Sequence, residues 1–227
     1  NLAETLGGVA LSQLVSPGTP IVVGGVVSIL DMRTTILSYG APELALLSAG
    51  ATEVARHLGL PMFSTAGCTD SKCLDEQTAV EATTSILLAE LSGANFIHDV
   101  GYAESGMTGS LQQLVMCDEI IGMARHIARC IRVDEETLAV DAIAEAAGTG
   151  NYLALDHTAR HFRDQFWFPR LMDRRRYGEW AGDGEKTMGD RIRERLRKML
   201  EEHRAPPLSR EVTAQLDRIV GNQGGGK

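Results

Sequence analysis

Short apolar runs that end in glycine or polar residues alternate along this chain with longer stretches of helical spacing, and this alternation limits the possible folds more than any other feature. We predict strands that begin near residues 20, 61, 95 and 151, with at least one helix between each pair. Such an order is typical of parallel βα units. Residues 20–25 (PIVVGG) are apolar throughout, which indicates a strand buried on both faces. The sequence therefore predicts an α/β fold with its site at the carboxyl ends of parallel strands.

Four βα units supply only half of an eight-stranded TIM barrel, which at this spacing would need roughly 250 residues. The chain also begins within a predicted helix that ends at Ser16-Pro17-Gly18. We therefore expect residues 1–156 to form half of a barrel from the C-terminal half of a longer protein, followed by a helical extension (157–220) and a flexible tail (221–227). An open four-stranded sheet, complete in itself, is the alternative. Because half a barrel leaves two open strand edges, we expect a homo-oligomer if this chain is the whole protein.

Charge and composition argue against several classes of protein. Residues 1–156 hold 6 Lys or Arg against 19 Asp or Glu, whereas residues 157–204 hold 13 against 9. An acidic body of this kind does not suit nucleic acid, and no apolar run reaches the length of about 18 residues that a membrane span needs. The 4 cysteines lack CxxC spacing and neighbouring histidine pairs, so we predict reduced thiols in a cytoplasmic protein and no metal ligands.

The first predicted strand is followed by residues that could contact a ligand. Gly24 and Gly25 would let a ligand approach the backbone, although a tight turn is the favoured interpretation because the pair is neither a GxGxxG motif nor a P-loop. Arg33 could clamp a carboxylate with two hydrogen bonds, or it could pair with Asp31.

The second predicted strand is followed by Cys68, Asp70 and Lys72. Cys68 could be a nucleophile, but a small buried thiol is the favoured interpretation because no particular histidine is tied to it. Lys72 could form a Schiff base, and a solvated loop lysine is the favoured alternative.

The third predicted strand leads into FIHDVGYAESG, residues 96–106. Because adjacent strand residues point to opposite sides, we expect His98 to face the barrel lumen and Asp99 to anchor the loop through backbone N–H groups. A histidine satisfied within the core is the alternative to a pocket residue. The chain contains no GxSxG elbow, no HExxH helix and no recognisable pair of catalytic carboxylates.

Four long stretches, in order, resemble the C-terminal half of the trimethylamine methyltransferase family. They are VVGGVVSILDMRTTILSYGAPELALLSAG, FSTAGCTDSKCLDEQTAVEA, FIHDVGYAESGMTGSLQQLVMCDEIIGM and HTARHFRDQFWFPRLMDRRRYGEW. The resemblance implies a TIM barrel, a methylated amine as substrate, and transfer of one methyl group to a corrinoid (cobalamin) carried by a separate protein. It implies no tightly bound cofactor in this chain. Founding members of the family carry pyrrolysine, whereas this chain has only standard residues, so it is more similar to the branch expected to use quaternary amines such as glycine betaine.

A quaternary ammonium leaves as a neutral tertiary amine, so the resemblance implies a site that positions its substrate and excludes water. Aromatic faces would hold the cation, and the candidates at or near strand ends are Tyr39, Phe63, Phe96, Tyr102 and Tyr152. His98 is the predicted catalytic residue, and it or Arg33 would hold the carboxylate of a betaine.

Three acidic residues of the predicted loops are expected to support the site without touching the cation. A carboxylate placed on the ammonium would stabilise the substrate more than the transition state. This group consists of Asp70, Asp99 and Glu104. The alternatives to a methyltransferase are an amine-binding module without catalysis and an unrelated barrel enzyme that uses Lys72.

Overall fold

A computed structural model describes residues 1–223, and within that range three strands form a parallel sheet. They are β1 (Val23–Gly24), β2 (Met62–Thr65) and β3 (Phe96–His98), in the order β1-β2-β3. The parallel α/β fold predicted from the sequence is thus confirmed. No other strand of residues 1–223 joins this sheet, so closure into a barrel stays a prediction, as does the domain division at residue 156.

Helices precede and follow these strands as the apolar spacing predicted. They are α1 (Leu2–Val15), α2 (Pro42–His57), α3 (Glu76–Ser92) and α4 (Leu111–Ala128). Helix α2 begins with Pro42, whose fixed φ suits the first helical position. Asp75 and Ser110 cap α3 and α4, since each side chain accepts a hydrogen bond from a backbone N–H of the first turn.

After α4, the described residues form six further helices joined by loops. They are α5 (Glu135–Leu138), α6 (Val140–Ala146), α7 (Asp156–Gln165), α8 (Tyr177–Gly182), α9 (Met188–Glu202) and α10 (Arg210–Gln223). No helix of residues 1–223 is both long enough and apolar enough to cross a membrane.

Two sequence predictions in this part of the chain are wrong. Residues 151–154 form a turn and not a fourth strand, because the Asn151 side chain accepts a hydrogen bond from the N–H of Leu153 and curls the backbone. Helix α10 also continues through residues 221–223, which we predicted as tail, because a single Gly221 costs a helix only about 1 kcal/mol. The remaining predicted tail, 224–227, lies outside the described residues.

A short hairpin follows β3. Its strands are β4 (Tyr102–Ala103) and β5 (Thr108–Gly109), which pair antiparallel. Its backbone runs beside the loop after β2: the N–H of Thr69 donates to the carbonyl of Tyr102 at 2.9 Å. The loops that leave β2 and β3 are therefore joined by hydrogen bonds.

The core lies between one face of the sheet and the helices. Met62 packs with Val23 and with Ala55 of α2, and Ile97 packs against the cluster that α3 and α4 build. Because side chains alternate along a strand, Phe63, Phe96 and His98 lie on the opposite face. We call this the open face; in a closed barrel it would line the lumen.

Candidate functional site

On the open face, Gly24 of β1 lies against the aromatic ring of Phe63 of β2. Gly24 lies opposite Phe63 in the β1–β2 register, and a Cβ on Gly24 would overlap with the Phe63 ring. The glycine therefore lets that ring lie against the β1 backbone. The Phe63 ring in turn lies 5.1 Å from the ring of His98, centroid to centroid. The structure thus brings together three predicted site residues from three strands.

Gly25 is also closely approached, but by the side chain of Asn1 and not by an aromatic ring of the site. A Cβ at this position would lie 2.6 Å from Nδ2 of Asn1. The described structure thus explains Gly25 by packing against the start of the chain.

His98 and Asp99 form a pair, and the expectation that they point to opposite sides is wrong. His98 Nδ1 lies 2.7 Å from Asp99 Oδ1. Asp99 has a φ of 68°, in the left-handed region, and this breaks the alternation of the strand just after His98. Asp99 therefore orients the imidazole instead of anchoring the loop through backbone N–H groups.

The pairing determines what the other ring nitrogen can do. Since Nδ1 carries the proton that is donated to Asp99, Nε2 is an acceptor in the neutral ring and a donor in the protonated ring. Nε2 is buried and has no hydrogen-bond partner within residues 1–223. Oγ1 of Thr65, which lies opposite His98 in the register, is buried and unpartnered over the same range. Such atoms destabilise a fold unless a ligand or water satisfies them.

Tyr39 reaches the same region from the loop after β1. Its ring packs on Gly106 of the hairpin, where a Cβ would come within 3.4 Å of the ring. Burial raises the pKa of Tyr39, and electrostatic interaction with Asp99, Cys68 and Tyr102 raises it further. The phenol thus keeps its proton at neutral pH and can donate a hydrogen bond.

Asp70 holds Tyr39 and the hairpin together. Its carboxylate accepts hydrogen bonds from Ser38 Oγ, from the N–H of Tyr39 at 2.9 Å and from Ser105 Oγ at 2.9 Å. Burial acts to raise the pKa of Asp70, but the hydrogen bonds from Ser38, Ser105 and the backbone outweigh it and lower that pKa. This geometry is compatible with the predicted role of Asp70 as a residue that supports the site without touching the cation.

Glu81 of α3 belongs to this network, and the sequence analysis missed it. Its Oε2 accepts hydrogen bonds from Thr69 Oγ1 at 2.5 Å and from the N–H of Asp70 at 2.9 Å. The sequence signal for Glu81 was its spacing, because it lies three residues after Thr78 and four before Ser85 and so shares their helical face. The structure shows that Thr78 and Ser85 are both buried. A carboxylate on a buried face needs partners, and the loop after β2 provides them.

The hairpin loop is held in an unusual backbone conformation. Glu104 and Ser105 have φ values of 51° and 54°, each of which costs about 1–3 kcal/mol for a residue other than glycine. Backbone hydrogen bonds to Ser71 and Thr69 compensate for this strain, and the Gln113 amide donates to the carbonyls of Gly67 and Tyr102. The exposed Glu104 side chain accepts from Thr108 Oγ1 at 3.1 Å, so its contact is within the hairpin.

Two predicted binding residues do not join this group in the described part of the chain. Arg33 is exposed and its Nε lies 3.7 Å from Oδ1 of Asp31, which matches the alternative interpretation of that residue. Tyr152 lies in the turn that replaces the fourth predicted strand, and its carbonyl accepts from Thr158 Oγ1. The argument that placed Tyr152 at a strand end is therefore wrong.

The two reactive side chains after β2 have ordinary surroundings. Cys68 is buried, and burial raises the pKa of its thiol, with smaller contributions from nearby charges. Lys72 is exposed, and its Nζ donates to the carbonyl of Asp70 at 2.7 Å. A desolvated lysine, as Schiff-base chemistry needs, is not what the structure presents here.

Fold and site together define a class of protein. This is a parallel α/β protein whose candidate site lies at the carboxyl ends of β1, β2 and β3 and is built from aromatic rings and a His–Asp pair. Exposed rings of this kind suit an organic cation. The acidic groups around them are already engaged by hydrogen bonds.

The chain belongs to the trimethylamine methyltransferase family. Residues 1–223 match the family described as Trimethylamine methyltransferase (MTTB). The chain is 34% identical to the glycine betaine methyltransferase of Desulfitobacterium hafniense (strain Y51), over 98% of this chain and 46% of that protein. It is 36% identical to the trimethylamine methyltransferase MttB of Methanosarcina barkeri (strain Fusaro / DSM 804), over 96% of this chain and 44% of that protein. The chain thus spans less than half the length of these relatives.

Proposed function

We propose that this chain is the C-terminal part of a methyltransferase that moves one methyl group from a quaternary amine, such as glycine betaine, to a cobalt corrinoid presented by a partner protein. The names of the relatives support a methylated amine as substrate. The observation that carries the proposal is the open face, where aromatic rings flank a histidine whose Nε2 has no partner among residues 1–223. The remaining half of the relatives' length would complete the barrel around it.

Aromatic faces would recognise the ammonium. Phe96 is 66% exposed at the edge of the open face, and Tyr102 is 43% exposed in the hairpin. A cation over such a ring gains about 0.5–2 kcal/mol, depending on its desolvation. Asp70 and Asp99 are bound to the loop and to His98 respectively. The cation would therefore meet rings and not a free carboxylate, which avoids overstabilising the substrate.

The carboxylate of a betaine would bind at His98. A protonated imidazole that donates Nδ1–H to Asp99 also presents an Nε2–H donor toward the open face. The hydroxyl of Thr65, opposite in the register, offers a second donor. Binding would satisfy two buried polar atoms that lack partners in the described part of the chain, and it would orient the methylammonium end relative to the rings.

The transfer needs little acid–base chemistry from this chain. The corrinoid of the partner acts as the second substrate and supplies the electron pair for the new cobalt–carbon bond. The carbon–nitrogen bond breaks, and its electrons stay on nitrogen as the lone pair of a neutral tertiary amine, so no proton moves. The residues of the open face would then contribute by alignment and by exclusion of water.

The test uses the natural full-length protein that contains these residues. It is incubated with cob(I)alamin and glycine betaine, and methylcobalamin formation is followed by absorbance and tertiary amine formation by NMR. We expect product, and we expect Phe96→Ala to lower the rate about 3- to 30-fold through loss of a cation–π contact. Phe166→Ala is the matched control, since Phe166 is also exposed, at 60%, and lies at the end of α7.

Two results would contradict the proposal. One is the absence of product with glycine betaine, carnitine and choline. The other is an equal loss of rate in both phenylalanine variants. Calorimetric binding of a quaternary amine without turnover would instead support an amine-binding module.

A further inference from the structure

Three side chains away from the open face converge on one point. His157 and His161 lie four residues apart on α7, so they share a face of that helix. Glu136 of α5 lies against them: its Oε1 is 2.7 Å from His161 Nε2, and its carbonyl oxygen is 3.1 Å from His157 Nε2. The two imidazole rings are 4.5 Å apart, centroid to centroid. One ligand atom from each of the three side chains lies within 4.8 Å of the others.

We propose that Glu136, His157 and His161 bind a divalent transition metal of the zinc class. Zinc takes imidazole nitrogens at about 2.0–2.1 Å and carboxylate oxygens at about 2.0–2.2 Å, which places neighbouring ligand atoms roughly 3.3 Å apart in a tetrahedron. The observed spacing is close enough that side-chain rotation alone would close the site. Two nitrogens and one oxygen leave a fourth position for water, and imidazole-rich sites favour zinc, copper and nickel over magnesium and calcium.

The surroundings of Glu136 are compatible with a metal ligand. A carboxyl binds a metal in its ionised form, and the exposed Glu136 side chain takes that form at neutral pH. Arg160 competes for the same oxygen, since its Nη1 lies 3.7 Å from Oε1. Its side chain is largely exposed and is free to move into solvent when a metal binds.

A bound metal would link α5 to α7, which are otherwise joined by a long connection. Glu136 is separated from the histidines by 21 and 25 residues, and α5 has only four residues. A metal would fix this short helix on α7. Our sequence-based expectation of no metal ligands rested on the cysteines, which lack CxxC spacing and neighbouring histidine pairs, and it did not consider the two histidines four residues apart on α7.

The test titrates the chelator-treated natural full-length protein with Zn²⁺ by calorimetry and with Co²⁺ by visible absorption. We expect that wild type has one more Zn²⁺ site than the His161→Gln and Glu136→Gln variants, or binds at that site at least about 10-fold more tightly. Zn²⁺ at about 100 times its Kd should raise Tm by roughly 3–5 °C in wild type only, since a full-length protein of the relatives' size is about twice as long as this chain. His57→Gln, on the exposed end of α2, is the matched control and should bind like wild type.

The variants are first checked for a native circular dichroism spectrum. Zinc stoichiometry and Tm shift that are the same in wild type and both variants would overturn the proposal, because binding would then lie elsewhere. So would the absence of zinc binding in wild type at about 100 μM free metal, roughly 100 times the weakest Kd expected of a specific site. If one of these variants loses its fold, His157→Gln replaces it. That substitution removes one proposed ligand and leaves the contact between His161 and the Glu136 carboxylate in place.

Discussion

Replacing Asp70 with asparagine tests the hydrogen bonds that join the loop after β1 to the hairpin. The carboxylate accepts from Ser38 Oγ, Ser105 Oγ and the N–H of Tyr39. Hydrogen bonds to charged groups contribute about 1.5–3 kcal/mol, and the partial exposure of Asp70 reduces this. Asparagine keeps one acceptor oxygen but loses the charge. We therefore expect the free energy of unfolding to fall by about 1–2 kcal/mol at neutral pH, which lowers Tm by roughly 2–8 °C.

The same variant should change how stability depends on pH. The pKa of Asp70 in the folded protein lies below its ordinary value of 3.8, because its hydrogen bonds outweigh burial. A carboxyl of this kind stabilises the fold at pH values above its unfolded pKa, and the contribution is lost as pH falls through the folded pKa. The difference in stability between wild type and Asp70→Asn should thus be full near neutral pH and shrink below about pH 4.

Urea unfolding followed by circular dichroism, repeated at several pH values, measures this difference. Asp217→Asn on α10 is the matched control, because Asp217 is exposed and the described structure gives its carboxylate no hydrogen bond. The reasoning would be refuted if Asp70→Asn were as stable as wild type at neutral pH. A difference that persisted unchanged to about pH 3 would also refute it, since protonation would then not matter.

Three further predictions concern stability and reactivity. Glu119 is 1% exposed and accepts hydrogen bonds from the backbone N–H groups of residues 170–172, at 2.8, 2.8 and 3.1 Å. We expect Glu119→Ala to lower the free energy of unfolding, measured by chemical denaturation, by about 3–5 kcal/mol. A decrease below about 1 kcal/mol would contradict this. A Cβ on Gly40 would overlap with the Glu81 carboxylate, so Gly40→Ala should cost about 1–3 kcal/mol, and an unchanged Tm would count against the described packing. Burial raises the pKa of Cys68, so iodoacetamide should label exposed Cys73 well before Cys68 by mass spectrometry; equal labelling of the native protein would show the described burial to be wrong.

Strands β2 and β3 were predictable because their sequence signal, apolar residues next to helix breakers, lies within a few residues of the chain. Residues 61–65 and 95–98 are short segments that each contain a pair of large apolar residues and lie next to breakers, and both supply strands of the parallel sheet. Residues 151–154 look similar, but the side chain of Asn151 bends the backbone there. The strands β4 and β5 have two residues each, which is too short for any periodicity to reveal.

The sequence placed the candidate site at the strand ends, but it did not predict the contacts within that site. Strand ends identified His98 and Phe63, because the carboxyl ends of parallel strands share one edge of a sheet. The contact between His98 and Asp99 depends on a positive φ at Asp99, which adjacency in sequence does not reveal. The buried carboxylates of Glu81 and Glu119 find their partners on distant loops, and sequence spacing alone cannot supply those partners.

A crystal structure of the natural full-length protein with glycine betaine would test the central claim most directly. We predict that the trimethylammonium group lies within about 6 Å of the centroid of the Phe96 or Tyr102 ring. We predict that its carboxylate accepts a hydrogen bond from Nε2 of His98, whose Nδ1 remains paired with Asp99. Betaine bound away from the open face, or with its ammonium directly on the Asp99 carboxylate, would contradict the account.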